Sequence, residues 1–311
     1  MNETNSLSQT PLGYDALEII RILLYFEVFK YPLTAKEIFE RSQTSSLQHV
    51  EQELAELVFQ ESVKRFGDHY TINGNQDWVN SRINGNQMAK TAMPIAAKHA
   101  GWMQKIPFVR AVMLSGSISK DYMDENSDID YFIIVEQGRL WIARLFFVFI
   151  QRFVLRSAKH FCFNYMISNA DLSFKNKSFY PAIELMTLKP MYGATVYQEL
   201  LSANPWAKEY FPNYPPSESE AVYEQHWFQK FAEFFFPAWL AEPMDNWFLQ
   251  QTQARWEKRF PKHLFENGSR NLMIGKHVAK VHFTGHFDKI IQRWNNHLEG
   301  FGKKHQRVLR A

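Results

Sequence analysis

At 311 residues the chain exceeds what one small core can organise, and it calls for two or three domains. A hydrophobic share of 46%, with 27 Phe, 13 Tyr and 9 Trp, excludes a disordered chain. The 35 basic and 32 acidic residues leave a net charge of +3, too little by itself to imply nucleic acid, and the single Cys162 excludes an internal disulfide or a cysteine-built zinc site.

The opening MNETNSLSQT lacks the basic start and apolar stretch of a signal peptide, so a cytoplasmic location is expected. Ala16, Ile19, Ile20, Leu23, Leu24 and Phe26 keep helical spacing until Tyr31-Pro32 stops the helix. Thr34 and Glu37 form a capping box for a second helix. Ser45 or Ser46 starts a third, carrying Leu47, Val50, Leu54, Leu57 and Val58. Val63–Phe66, a Gly67-Asp68 turn and His69–Ile72 predict a hairpin. Three helices and a β-wing in this order resemble a winged-helix domain, assigned to residues 1–78. Its third helix carries Glu51, Glu53 and Glu56 and no Lys or Arg, which phosphate would repel, and Lys64 and Arg65 on the wing offset this only partly. Protein contact or substrate positioning is therefore expected ahead of DNA binding.

Trp78 to about Lys105 reads as a helix leading into a central domain, residues 79–203. Phe108–Leu114 is a strand ending at Ser115-Gly116-Ser117, Ile129–Val135 a second, and His160–Ile167 a third. The apolar run from Leu140 to Leu155 contains Arg144, Gln151 and Arg152 and is too short to span a bilayer, so a buried helix is expected, with no membrane as partner. Beyond Asn204-Pro205 the pattern turns aromatic and helical, with a helix starting near Glu218, giving a helical C-terminal region over 204–311.

The central block, LSGSISKDYMDENSDIDYFIIV, carries the chemistry. A strand ends in Gly116-Ser117, ten residues intervene, and Asp128-Ile129-Asp130 opens the next strand. Residues two apart on a strand share a face, so Asp128 and Asp130 point together while Ile129 enters the core. Two such carboxylates repel unless a cation joins them, and a hard divalent ion such as Mg²⁺ suits oxygen ligands. Gly116 permits a close backbone approach, and Ser117 and Ser119, at a short helix start, suit phosphate oxygens.

This block resembles the DNA polymerase β-like nucleotidyltransferases, whose signature is Gly-Ser or Gly-Gly followed by a hydrophobically flanked Asp-x-Asp or Asp-x-Glu, with the spacing of the minimal type. The resemblance covers about residues 105–170. It implies an α+β nucleotidyltransferase fold, a small mixed sheet flanked by helices. It also implies a two-ion Mg²⁺ site that moves a nucleoside monophosphate from an NTP to a hydroxyl of a protein side chain, small molecule or nucleic-acid end. The family places a third carboxylate on a later strand, where this sequence has Asn164; Asp171 and Glu184 are the next acids. A third acid near the pair would favour an enzyme. Asn164 alone would favour a nucleotide-binding regulator with weak catalysis.

Other features receive plainer readings. Cys162, between Phe161 and Phe163, is expected to be a buried, inert thiol. The aromatic run from Trp227 to Trp239 is expected in the core. His282 and His286 are four apart, yet Val281, Thr284 and Gly285 suggest a strand and turn rather than a metal-binding helix. Lys303, Lys304, Arg307 and Arg310 read as a solvated end, and Arg139 and Arg144 lie within reach of a triphosphate in sequence terms only.

Overall fold

The computed structural model describes residues 12–155, 160–215, 217, 227–261, 272–281 and 286–305. It divides into two units, Met1–Asn80 with Arg293–Ala311, and Ser81–Gln292.

The first unit contains α1 (Tyr14–Glu27), β1 (Leu33–Thr34), α2 (Ala35–Glu40), α3 (Leu47–Phe59), β2 (Lys64–Phe66) and β3 (His69–Thr71). The strands form an antiparallel sheet in the order β1-β3-β2. The expected capping box is present: Glu37 N–H donates to Thr34 Oγ1, and Thr34 N–H donates to Glu37 Oε2. Ser46 is the N-cap of α3, accepting from His49 N–H. Ile19, Ile20, Leu23, Leu54 and Leu57 are buried, while Glu51 and Glu56 face solvent. The buried Glu27 closes α1 onto the hairpin. Its Oε1 accepts from Thr71 Oγ1 (2.6 Å), Ile72 N–H (2.6 Å) and Asn73 N–H (2.7 Å), and its Oε2 accepts from Asn73 Nδ2 (2.9 Å).

The chain continues through α4 (Gln76–Met103), β4 (Val109–Ser115), β5 (Asp130–Val135), α5 (Leu140–Phe149, running on as a π-helical turn, Ile150–Leu155), β6 (Cys162–Ser168), α6 (Phe179–Met186), β7 (Lys189–Tyr192), α7 (Ala194–Ser202), α8 (Trp206–Tyr210), α9 (Trp227–Phe234), α10 (Ala238–Arg259), β8 (Leu272–Ile274), β9 (Val278–Val281) and α11 (His286–Lys304). The second unit is α+β, with an open mixed sheet in the order β7-β4-β5-β6-β9-β8. β5 pairs antiparallel with β4 and parallel with β6, the parallel pairing being bridged by α5. The C-terminal region expected to be helical thus also supplies two strands, and β9 pairs with β6. Three- and four-residue strands offer too few alternations to register as a sequence pattern.

Side-chain alternation divides the sheet. Ile129, Tyr131, Ile133 and Val135 enter a core with Leu140, Trp141 and Phe147 of α5 and Ala96, Ala100 and Met103 of α4. Tyr131 donates its hydroxyl to Ala96 O at 3.2 Å, fixing α4 against β5. Asp245 of α10 caps α5 from outside the helix, accepting from Trp141 N–H (2.7 Å) and Ile142 N–H (2.9 Å). On the opposite face Asp130 precedes Phe132, whose ring lies 4.8 Å from Tyr165. No helix among the described residues is long and apolar enough to cross a membrane.

Candidate functional site

Ser115 and Asp130 are the last paired residues of the β4–β5 ladder, so the loop from 116 to 129 joins the two strands and carries Asp128. Gly116 takes φ +67°, and a Cβ there would stand 2.6 Å from Asp130 Oδ2. Both the backbone conformation and the neighbouring carboxylate therefore require glycine. Ser117 leads into a 3-10 turn, Ile118–Lys120. Ser119 is buried and donates to Gly116 O at 2.9 Å, so its hydroxyl shapes the turn rather than facing outward.

The rest of the loop is held locally. Asp124 Oδ1 accepts from Asn126 N–H and Ser127 Oγ, each at 2.9 Å. Met123 N–H donates to Gly85 O at 3.1 Å, where a Cβ on Gly85 would collide with the Tyr122 ring. Asp128 emerges exposed, Ile129 is fully buried, and Asp130 is half-buried at the start of β5.

Asp130 is the electrostatic centre of this region. Its carboxyl pKa is pushed up to about 6, first by burial and then by the negative charges of Asp128 and Glu184. A hydrogen bond from the Cys162 thiol and the positive charge of Lys120 oppose the rise. Cys162 pairs with Asp130 across the parallel ladder, and it is partly exposed. The expectation of an inert buried thiol is therefore corrected. Phe161 and Phe163 turn into the core on either side of it, and alternation turns Cys162 toward the carboxylate.

The position facing Asp130 on β6 is thus Cys162. The register shifts before Tyr165 pairs with Phe132, and Asn164 lies within that irregular stretch; its side chain is outside the described residues. Of the later acids, Glu184 on α6 is the one whose charge Asp130 feels, whereas Asp171 acts on Tyr165. Glu184 is held by Lys120, whose Nζ donates to Glu184 Oε1 at 2.9 Å and to Gly116 O at 3.0 Å. Tyr180, one turn earlier on α6, keeps its phenol proton far above the usual range through burial and the adjoining Glu184 and Asp130 charges. Lys280 on β9 lies over the Tyr165 ring at 4.9 Å; burial lowers its pKa, and Glu184 opposes that shift. Tyr180 and Lys280 carried no sequence signal, because a helix of eight residues and a strand of four brought them in from distant positions.

Asp128 and Asp130 offer hard oxygen donors, and their repulsion is the kind that a divalent cation relieves. Mg²⁺ is commonly held by one or two carboxylates together with substrate phosphates, so this pair fits such an ion. Among the described residues no group of three His, Cys, Asp or Glu side chains is placed to hold a metal together.

The remaining candidates separate from this face. Arg139 is buried with its guanidinium 5.5 Å from the Phe108 ring. Arg144 lies between the rings of Phe163 and Trp256, at 5.2 and 5.3 Å, and burial lowers its pKa to about 10. His282, the His286 side chain, the segment 218–226 and residues 306–311 lie outside the described residues, while Lys303 and Lys304 are exposed in the last turn of α11. Comparison with known proteins returns no match among family models, curated proteins or solved structures.

Proposed function

We propose that the second unit is a nucleotidyltransferase of the DNA polymerase β-like type, binding an NTP with Mg²⁺ at Asp128 and Asp130. The observation that carries this reading is the packing of Asp130 against the positive-φ Gly116, with Asp128 and Glu184 adding to its negative field. The β4–β5 hairpin and the parallel β6 supply the small mixed sheet that such a fold requires.

Gly116 and Ser117 would bring the backbone of the turn to the phosphates, with Ser119 holding the turn's shape. Lys120 and Lys280 would place positive charge beside the triphosphate, balancing what Glu184 and the aspartates concentrate there. A bound Mg²⁺ would neutralise phosphate charge and lower the pKa of the acceptor hydroxyl. Transfer forms the bond from acceptor oxygen to α-phosphorus and breaks the α–β phosphoanhydride, releasing pyrophosphate, with the acceptor proton passing to a site carboxylate. The residues contribute orientation and a preorganised field.

A second reading follows from the Lys120–Glu184 ion pair, which occupies the third acid and leaves two carboxylates for metal. On that reading the unit binds nucleotide and turns it over slowly. The first unit, with the element order of a winged helix, then provides a protein contact; the exposed Glu51 and Glu56 on α3 disfavour DNA.

Incubation with α-labelled NTPs and Mg²⁺ tests the enzymatic reading. Wild type is expected to transfer label to an acceptor or to itself, and Asp128→Ala and Asp130→Ala to reduce transfer by about 10³-fold, the scale lost with a dominant electrostatic element. Equal labelling by all three proteins would refute transfer at this site.

A further inference from the structure

α9 is amphipathic, and it is inverted. Gln229 and Glu233 face the protein. Gln229 is fully buried and donates to Ile106 O and Val109 O, each at 3.1 Å. Glu233 accepts from Phe108 N–H at 2.6 Å and pairs with Arg110 at 3.0 Å. These bonds turn the aromatic side outward, leaving Phe231 57%, Phe234 78% and the following Phe235 56% exposed. The expectation that this aromatic run belongs to the core is therefore overturned. Its periodicity was helical, but the buried stripe is the polar one.

α5 departs from expectation in the same direction. Leu145, Val148, Phe149 and Phe153 form an exposed stripe at positions three and four apart, with Phe149 54% and Phe153 61% exposed. Phe146 of α5 lies 6.5 Å from Phe236, two residues beyond α9, so the two helices are neighbours. Together they expose seven large apolar side chains on two neighbouring helices, where an ordinary monomer scatters such residues singly.

We infer that this face is a docking surface for an anionic lipid leaflet. Its charges decide between occupants. Residues 140–155 contain no Asp or Glu, and the one acid of α9, Glu233, is turned inward onto Arg110. Within these two segments the outward charged side chains are Arg152 and Lys230, both basic and exposed. A protein interface of this size carries about one hydrogen bond per 100–200 Å², and two cations among Phe, Leu and Val offer little toward that. Phenyl and aliphatic groups at the acyl boundary, flanked by Arg and Lys at headgroup phosphates, suit a lipid surface. This contact lies on the membrane surface, requires no spanning helix, and does not depend on the nucleotide reading.

Flotation of the full chain with vesicles of phosphatidylcholine alone, or mixed with phosphatidylglycerol, tests the inference. Wild type is expected to float with the mixed vesicles and only weakly with phosphatidylcholine. Phe149→Ser/Phe153→Ser and Phe231→Ser/Phe234→Ser should each lower the bound fraction about tenfold. Arg152→Gln/Lys230→Gln, which alters exposed positions alone, should erase the preference for the anionic vesicles. Circular dichroism of each variant verifies the fold. The inference is overturned if wild type stays unbound with both vesicles, or if the Arg152→Gln/Lys230→Gln protein keeps the preference. A dimer in sedimentation velocity that the Phe variants dissociate, without lipid binding, would instead assign the face to a second copy of the chain.

Discussion

Asp130→Asn is expected to make the protein more stable at neutral pH while weakening whatever the site binds. Burial pushes the Asp130 carboxyl up to about 6, from 3.8 for the free group. Between those values the native state holds a proton that the unfolded chain has released. The contribution of Asp130 to stability is therefore fully present below about pH 4, is lost as the pH rises through 6, and stays constant above that. That rise sets an upper bound of about 3 kcal/mol, and the partial exposure of the carboxylate cuts this to about 1–2 kcal/mol. Asparagine keeps an acceptor for the Cys162 thiol and removes the charge. Melting curves at about pH 7 should place the variant about 2–4 °C above wild type, with the difference vanishing near pH 4. A variant less stable than wild type at neutral pH would show that Asp130 is satisfied by its surroundings and holds no poised charge.

Glu27→Leu should produce the largest loss of stability in the first unit. One carboxylate there serves four donors from Thr71, Ile72 and Asn73, three of them on Oε1. Leucine fills comparable volume but leaves those donors buried without acceptors, a cost of about 3–5 kcal/mol. Glu27→Gln retains one acceptor oxygen and turns an amide toward the Asn73 side chain, so its cost should be smaller, about 1–2 kcal/mol. Urea denaturation measures both, and amide exchange at Ile72 and Asn73 should accelerate in the order wild type, Gln, Leu. Equal stability of the Leu variant and wild type would mean that water replaces the carboxylate, and α1 would then not depend on Glu27 to hold the hairpin.

Local signals were legible in the sequence where a short rule decides the outcome. The Thr34–Glu37 capping box, the Ser46 cap and the Gly67-Asp68 turn depend on neighbours within four residues, and each occurs as read. The alternation that separates Ile129 from Asp130 was legible for the same reason. Three features were not. Cys162 opposes Asp130 because the pairing register is set across two strands, and no single strand encodes it. β9 and Lys280 are 150 residues from Asp130 and lie on a strand of four residues. The aromatic face of α9 carried the right period and the wrong direction, since amphipathicity states that one side differs from the other. Which side faces inward was decided by Gln229 and Glu233 finding backbone partners at Ile106, Phe108 and Val109.

The most direct measurement is calorimetric titration with non-hydrolysable NTP analogues, with and without Mg²⁺, on wild type and on Asp128→Ala/Asp130→Ala. A metal-nucleotide site predicts binding by wild type that requires Mg²⁺ and weakens at least about tenfold in the double variant. Affinity that is the same in both proteins, or indifferent to Mg²⁺, would contradict the assignment of Asp128 and Asp130.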